Sequence, residues 1–110
     1  METEINQYDI FWVKLDPIEG SEMSKTRPCV VISPNEMNYY LKTVTIVPLT
    51  TNLNPVRWRV RVFCNGQSGM VALDHIRSVS KSRLVSYIGS LQLSEIKEIK
   101  QVIKEMLVDV

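Results

Sequence analysis

The 110-residue chain contains few of the residues that build the common catalytic and metal sites. Its only two cysteines, Cys29 and Cys64, lack a second pair or a neighbouring histidine, which excludes the usual zinc spacings. Only four glycines are present, and the chain has no Gly-rich phosphate-binding loop and no Ser/His/Asp set. The sequence therefore predicts no metal and no cofactor, and buried thiols are the expected state of the two cysteines.

Targeting signals and membrane spans are also missing from the sequence. The start METEIN lacks the basic and apolar regions of a signal peptide, and no apolar stretch approaches the length of a transmembrane helix. A chain of this length is long enough for one core and too short for two. We expect a single domain over residues 1–110, in the reducing cytoplasm and not in a membrane.

The net charge of +1 hides an uneven distribution. Residues 25–83 contain nine basic and two acidic side chains, a balance of +7, whereas the rest of the chain carries −6. Such asymmetry favours an anion-binding surface, and a basic sheet face covered by the chain's own acidic ends is an equal alternative.

Short apolar segments separated by turn residues predict a small barrel or sandwich. Strands are expected at residues 8–15, 27–33, 43–49, 56–62, 70–73, 76–79 and 84–88, with a polar loop over 16–26, a helical turn at 35–40 and a hairpin turn at Asn65-Gly66. Strict alternation over 56–62 places Trp58, Val60 and Val62 toward the core. The arginines between them face the opposite side, where a solvated face is the common explanation for Arg57, and phosphate binding stays open for Arg59 and Arg61.

A helical period begins near the C-terminus. Ser94 is the expected N-cap, and one apolar stripe contains Leu93, Ile96, Ile99, Ile103 and Leu107. The stripe is expected to pack on the barrel, with a dimer contact as the alternative.

Arg27 and Thr50 stand at the ends of two predicted strands. Pro28 forces Arg27 into extended backbone, which holds its planar, charged fork at the rim of the sheet, where a phosphate is the obvious target. The structural alternatives are an ion pair of Arg27 with Glu19 or Glu22, and a turn-forming role for Thr50.

Four blocks, in order and at fitting spacings, resemble the MazF/PemK family of toxin endoribonucleases. They are residues 9–17 (DIFWVKLDP), 20–32 (GSEMSKTRPCVVI), 46–51 (IVPLTT) and 69–79 (GMVALDHIRSV). The resemblance covers nearly the whole chain. It implies a mainly β fold, a small SH3-like barrel of the MazF/CcdB type with a C-terminal helix, usually dimeric.

The resemblance also implies a function. Family members are toxins of type II toxin–antitoxin modules that cleave single-stranded RNA without a metal, by attack of the 2′-hydroxyl on the adjacent phosphate. Carried over by position, Arg27 and Thr50 form the catalytic pair, and both suit a reaction that needs fixed donors around a developing phosphorane. The implied substrate contacts are Ser21, Glu22, Thr51, Asn52, Asp74 and His75. The implied partners are single-stranded RNA, a second copy of the chain, and an antitoxin whose acidic C-terminal tail covers the basic groove.

The general base is left open among Glu22, Asp74 and His75. His75 replaces the family's usual glutamine and is expected to contact substrate, while Asp74 could instead orient Arg77.

Three departures from the family pattern stand out. Tyr8 replaces the glycine before Asp9, residues 23–25 (MSK) replace the common Q-x-G, and Ala72 stands where some members have an arginine.

Two alternatives come from other functional classes. One is a non-enzymatic toxin of the same barrel superfamily that traps DNA gyrase. The other is an SH3-like module that binds peptides through its aromatic side chains.

Overall fold

The computed structural model describes residues 4–15 and 25–109. In this part of the chain seven strands and two helices follow in order: β1 (Asp9–Leu15), β2 (Lys25–Val31), α1 (Asn35–Tyr40), β3 (Thr43–Thr50), β4 (Arg59–Cys64), β5 (Gln67–Ala72), β6 (Arg77–Ser80), β7 (Leu84–Ser90) and α2 (Leu93–Ile103). Short 3₁₀ turns at Leu73–His75 and Lys81–Arg83 precede β6 and β7, and a final π-helical turn spans Lys104–Val108. The predicted mainly β fold with a C-terminal helix is confirmed.

The strands form one antiparallel, curled sheet in the order β4-β5-β3-β2-β1-β7. The central strand β3 contacts two partners in turn along one edge, β6 over residues 43–46 and β5 over residues 49–50. Pro48 lies between these two pairings. Its missing N–H therefore removes no hydrogen bond to β5 or β6. β3 therefore ties the two halves of the sheet together.

The central strands are buried on both faces. One cluster joins Ile10, Val30 and Val47 to β4, β5 and Ile99 of α2, and the other contains Phe11, Val13, Cys29 and further residues of β1–β3 and β6. Alternation along β1 divides its apolar side chains between the two clusters. One face of the sheet thus packs against α2, and the other face is buried because the sheet curls and its own strands pack together.

The hairpin between β4 and β5 has the turn that its sequence predicts. Asn65 and Gly66 have φ values of 52° and 76°, and the strands pair directly from Cys64 to Gln67. Positive φ at both central residues is the pattern of a type I′ turn. Val60 and Val62 of β4 are buried as expected.

Trp58 departs from its expected place in a core-facing strand. It lies in a turn before β4 and is half-buried, and the guanidinium of Arg57 sits 4.7 Å from its ring centroid. The Trp58 carbonyl accepts a hydrogen bond from the Leu73 N–H at 3.0 Å, whereas its ring belongs to neither core cluster and contacts Arg57 by a cation–π interaction.

The predicted start of the C-terminal helix was wrong by two residues. Gln92, not Ser94, is the N-cap, and it forms a capping box with Glu95. The Glu95 carboxylate accepts hydrogen bonds from the Gln92 and Phe63 N–H groups, both at 2.8 Å, so a contact with β4 fixes where the helix begins.

The ends of the predicted helix stripe are not buried either. Leu93 is 85% exposed and Leu107 is 62% exposed, whereas Ile99 is fully buried. The middle of the predicted stripe is confirmed, and two further side chains join it on the core: the residues that pack there are Ile96, Ile99, Val102, Ile103 and Met106.

Candidate active site

A cleft of about 310 Å³ opens beside the ends of β2 and β3. Its walls come from six strands, β1–β5 and β7, and from the turn of the β4–β5 hairpin. The polar side chains among them are Lys25, Thr26, Arg27, Thr50, Thr51, Asn65, Gln67 and Ser68. Trp12, Leu49 and Ile88 contribute apolar surface. The cleft is therefore a partly apolar groove with polar groups and two cations on its walls, which suits a ligand that has both rings and negative charge.

Sheet register explains why Arg27 and Thr50 meet. β2 and β3 pair as Cys29↔Pro48, Val30↔Val47 and Val31↔Ile46. Continued by two residues, this antiparallel register sets Arg27 opposite Thr50 on the same face. The two residues predicted as a catalytic pair thus line one cleft, and the sheet backbone fixes both.

The Thr50 hydroxyl is oriented by the turn that follows β3. Its Oγ1 accepts a hydrogen bond from the Asn52 N–H at 3.2 Å, and no acceptor for the hydroxyl hydrogen is found among residues 4–15 and 25–109. The hydroxyl can therefore donate to a ligand in the cleft.

The predicted substrate contacts divide into three groups. Thr51 lines the cleft beside Thr50. Asn52 is outside the lining, and its Oδ1 accepts a hydrogen bond from the Asn54 N–H at 3.0 Å, which stabilises the turn. Ser21 and Glu22 lie outside the described residues.

Asp74 and His75 form a separate cluster in the turn between β5 and β6, away from the cleft lining. Asp74 accepts two hydrogen bonds from Arg59, at 3.2 and 3.1 Å, and lies 3.5 Å from His75 Nε2. Partial burial acts to raise the pKa of Asp74. The hydrogen bonds from Arg59, a backbone hydrogen bond to the carboxylate and the charges of Arg59 and His75 together outweigh this effect and hold the pKa below its ordinary value. The suggestion that Asp74 orients Arg77 is corrected, because the side chain it binds is that of Arg59.

Several cleft residues were not predicted as site residues. Lys25, Asn65 and Gln67 lie at strand ends, where sequence patterns describe turns and give no sign of a shared cavity. The only available signal was Asn65-Gly66, which indicates a tight hairpin but not what the hairpin faces.

The two cysteines differ in environment. Cys29 is fully buried, and burial raises the pKa of its thiol to about 12 against the opposing charges of Arg27 and Arg77. Cys64 is only half-buried and lines the cleft, which corrects the expectation of two buried thiols. Its pKa is also raised, by burial and then by the negative charge of Glu95.

Solved structures share this architecture. MazF of Deinococcus radiodurans superposes with a TM-score of 0.86 over 96% of this chain and 98% of that one, at 23% identity. A mycobacterial endoribonuclease in complex with its cognate antitoxin gives a TM-score of 0.78 over 94% of both chains, at 21% identity. The fold is therefore the MazF-type barrel that the resemblance implied.

Sequence comparison defines the family. The sequence model of the PemK-like, MazF-like toxins of type II toxin–antitoxin systems matches residues 6–107, and the chain belongs to this family. Endoribonuclease MazF9 of Mycobacterium tuberculosis is 29% identical, over 87% of this chain and 90% of its own length. Endoribonuclease MazF of Staphylococcus saprophyticus is 27% identical, over 86% and 84% respectively.

Two further observations concern the described residues alone. None of their helices is long and apolar enough to cross a membrane. They also contain no cluster of three or more histidine, cysteine or acidic side chains suited to holding a metal ion.

Proposed function

We propose that this protein is the toxin of a type II toxin–antitoxin module and cleaves single-stranded RNA without a metal ion, with Arg27 and Thr50 as its catalytic residues. The observation that carries the proposal is the placement of these two donors on one face of neighbouring strands, at the wall of a single cleft. Membership of the PemK/MazF family and the curated endoribonuclease relatives support the activity.

The proposed reaction needs positioning and charge stabilisation. The 2′-oxygen attacks the adjacent phosphorus while the bond from phosphorus to the 5′-oxygen breaks, which leaves a 2′,3′-cyclic phosphate and a 5′-hydroxyl. The 2′-hydroxyl loses its proton and the leaving 5′-oxygen gains one. Arg27 would bind the non-bridging oxygens through its guanidinium fork, and Thr50 would donate its hydroxyl hydrogen to the same phosphate.

The remaining predicted contacts have secondary roles in this proposal. Thr51 contacts the nucleotide beside the scissile phosphate, and Asn52 supports Thr50 through its backbone. Asp74 and His75 would contact RNA beyond the cleft, where their side chains are partly exposed. Ser21 and Glu22 remain proposed contacts on the strength of the resemblance.

Partners follow from the same family context. We propose that the protein acts in the cytoplasm as a homodimer, and that a cognate antitoxin with an acidic tail neutralises it. The solved MazF relatives include complexes with antitoxins, among them MazE–MazF of Deinococcus radiodurans. The excess of basic side chains over residues 25–83 is complementary in charge to an acidic tail.

Cleavage of a long single-stranded RNA in excess chelator tests the proposal. The wild-type protein, Arg27→Ala and the control Arg57→Ala are compared, and cut ends are mapped by primer extension. Arg57 is exposed and outside the cleft lining, so its loss removes an equal charge from another place.

We expect cuts at a recurrent short sequence for the wild type and the Arg57→Ala control. Cutting by Arg27→Ala should fall about a hundredfold or more, the usual cost of losing one fixed donor. New 5′ ends that accept a labelled phosphate without prior phosphatase treatment would show the 5′-hydroxyl product. Absence of cleavage by folded wild-type protein would refute the proposal and favour gyrase or peptide binding.

A further inference from the structure

Left-handed backbone is found at Tyr8, just before β1, and at Lys25, the first residue of β2, and the two residues differ in what compensates for it. Tyr8 has a φ of 72° and Lys25 a φ of 70°. Both stand where the resembling family commonly has glycine, the residue that adopts this region without steric cost. For another residue the conformation is disfavoured, because the Cβ comes too close to the following carbonyl oxygen.

The compensation at Tyr8 is visible in the fold. Its ring packs on the core cluster that contains Ile10, and its N–H donates to the Val31 carbonyl at 2.6 Å. Burial of an aromatic side chain offsets such a local backbone cost.

Lys25 has no comparable packing. It is exposed, belongs to neither core cluster, and forms no salt bridge with the described residues. Its side chain instead lines the cleft that contains Arg27 and Thr50. Strained backbone that fold stability does not require is found preferentially at functional sites.

The spacing of the two cations matches a nucleic-acid strand. Lys25 and Arg27 are two residues apart on β2, which corresponds to about 6.6 Å along a strand. Neighbouring phosphates on an extended RNA lie a comparable distance apart. A compact ammonium on a flexible stem suits a phosphate that needs to be held but not activated.

We propose that Lys25 binds a backbone phosphate of the RNA next to the scissile phosphate held by Arg27, and so acts as a substrate-binding residue of this chain. The inference rests on the proposed function. It predicts a contribution to affinity that is independent of base sequence and sensitive to salt.

The test compares wild type, Lys25→Gly, Lys25→Arg and the control Lys42→Ala. Lys42 lies just before β3, about 26 Å along that strand from Thr50, so the control removes a lysine charge far from the cleft. Binding is measured with a 2′-O-methyl RNA of the mapped cut sequence, which lacks the attacking hydroxyl, over a series of salt concentrations. Cleavage kinetics on the matching RNA are measured in parallel.

We expect Lys25→Gly to weaken binding about fivefold, as for one partly exposed charged contact. The slope of log K against log salt should fall by about 0.7, the value for one phosphate on a single strand. KM should rise while kcat changes little, Lys25→Arg should retain most of the affinity, and Lys42→Ala should match wild type. The melting temperature of Lys25→Gly should not fall, because glycine relieves the backbone strain.

An unchanged slope and KM in Lys25→Gly, with wild-type cleavage intact, would overturn the assignment of Lys25 alone. Loss of affinity equal to that of the Lys42→Ala control would overturn it as well, because a general charge effect would then explain the result. A wild type that neither binds nor cleaves RNA would instead remove the proposed function itself.

Discussion

Truncating Ile99 should destabilise the protein more than truncating any other residue of the predicted helix stripe. Ile99 is fully buried in α2, against the cluster formed by β1–β5. Replacement by alanine removes three buried carbons, worth about 2–3 kcal/mol in transfer free energy, and the cavity left behind brings the expected loss to about 3–4 kcal/mol. Urea unfolding monitored by circular dichroism measures the change in the free energy of unfolding.

Leu93→Ala is the matched control, since it removes as many carbons from the same helix. Leu93 is 85% exposed, so its truncation should change the free energy of unfolding by less than about 0.5 kcal/mol. Each variant should be unfolded at protein concentrations spanning tenfold, because self-association makes apparent stability depend on concentration. A loss below about 1 kcal/mol for Ile99→Ala, or equal losses for the two variants, would refute this account of how α2 is held.

Three further outcomes are expected. Thr50→Val should lower kcat about a hundredfold while Thr50→Ser retains most activity, as measured by initial cleavage rates, because the hydroxyl is the proposed donor. Arg59→Gln should raise the pKa of Asp74 in a carbon-13 carboxyl titration. Because the pKa of Asp74 is lower in the folded than in the unfolded protein, ionised Asp74 stabilises the fold above the unfolded-state pKa. This stabilisation, below about 1 kcal/mol, is lost as the pH falls through the folded-state pKa. In Arg59→Gln the loss of stability at acid pH should therefore be smaller. Iodoacetamide at about pH 8 should alkylate Cys64 and spare Cys29 in native protein, and labelling of Cys29 by mass spectrometry would contradict its burial.

Local signals predicted most of the fold. Asn65-Gly66 specified a type I′ hairpin, alternation placed Val60 and Val62 inward, and the helical period located α2. These features depend on residues close together in sequence, which is why pattern and propensity detect them. The helix start was missed because Glu95 is held by the Phe63 N–H, a partner distant in sequence.

The site was predictable only in part, and for a related reason. Arg27 and Thr50 came from the resemblance, but the register that sets them opposite each other is a property of the β2–β3 ladder. The pairing of Asp74 with Arg59 depends likewise on the β4–β5 register, which aligns Arg59 with Ala72. Sequence patterns do not report which strands become neighbours, so the extent of the cleft and the role of Lys25 required coordinates.

The location of Arg27 and Thr50 has an evolutionary consequence. Both are fixed on neighbouring strands of a hydrogen-bonded sheet, while much of the surrounding cleft wall comes from strand ends and the hairpin tip at Asn65. Substitutions in such connections usually cost little stability. With Arg27 and Thr50 as the proposed catalytic pair, substitutions in the connections would reshape the groove and leave these two donors in place. New RNA targets would then be accessible through single substitutions that preserve the proposed nuclease.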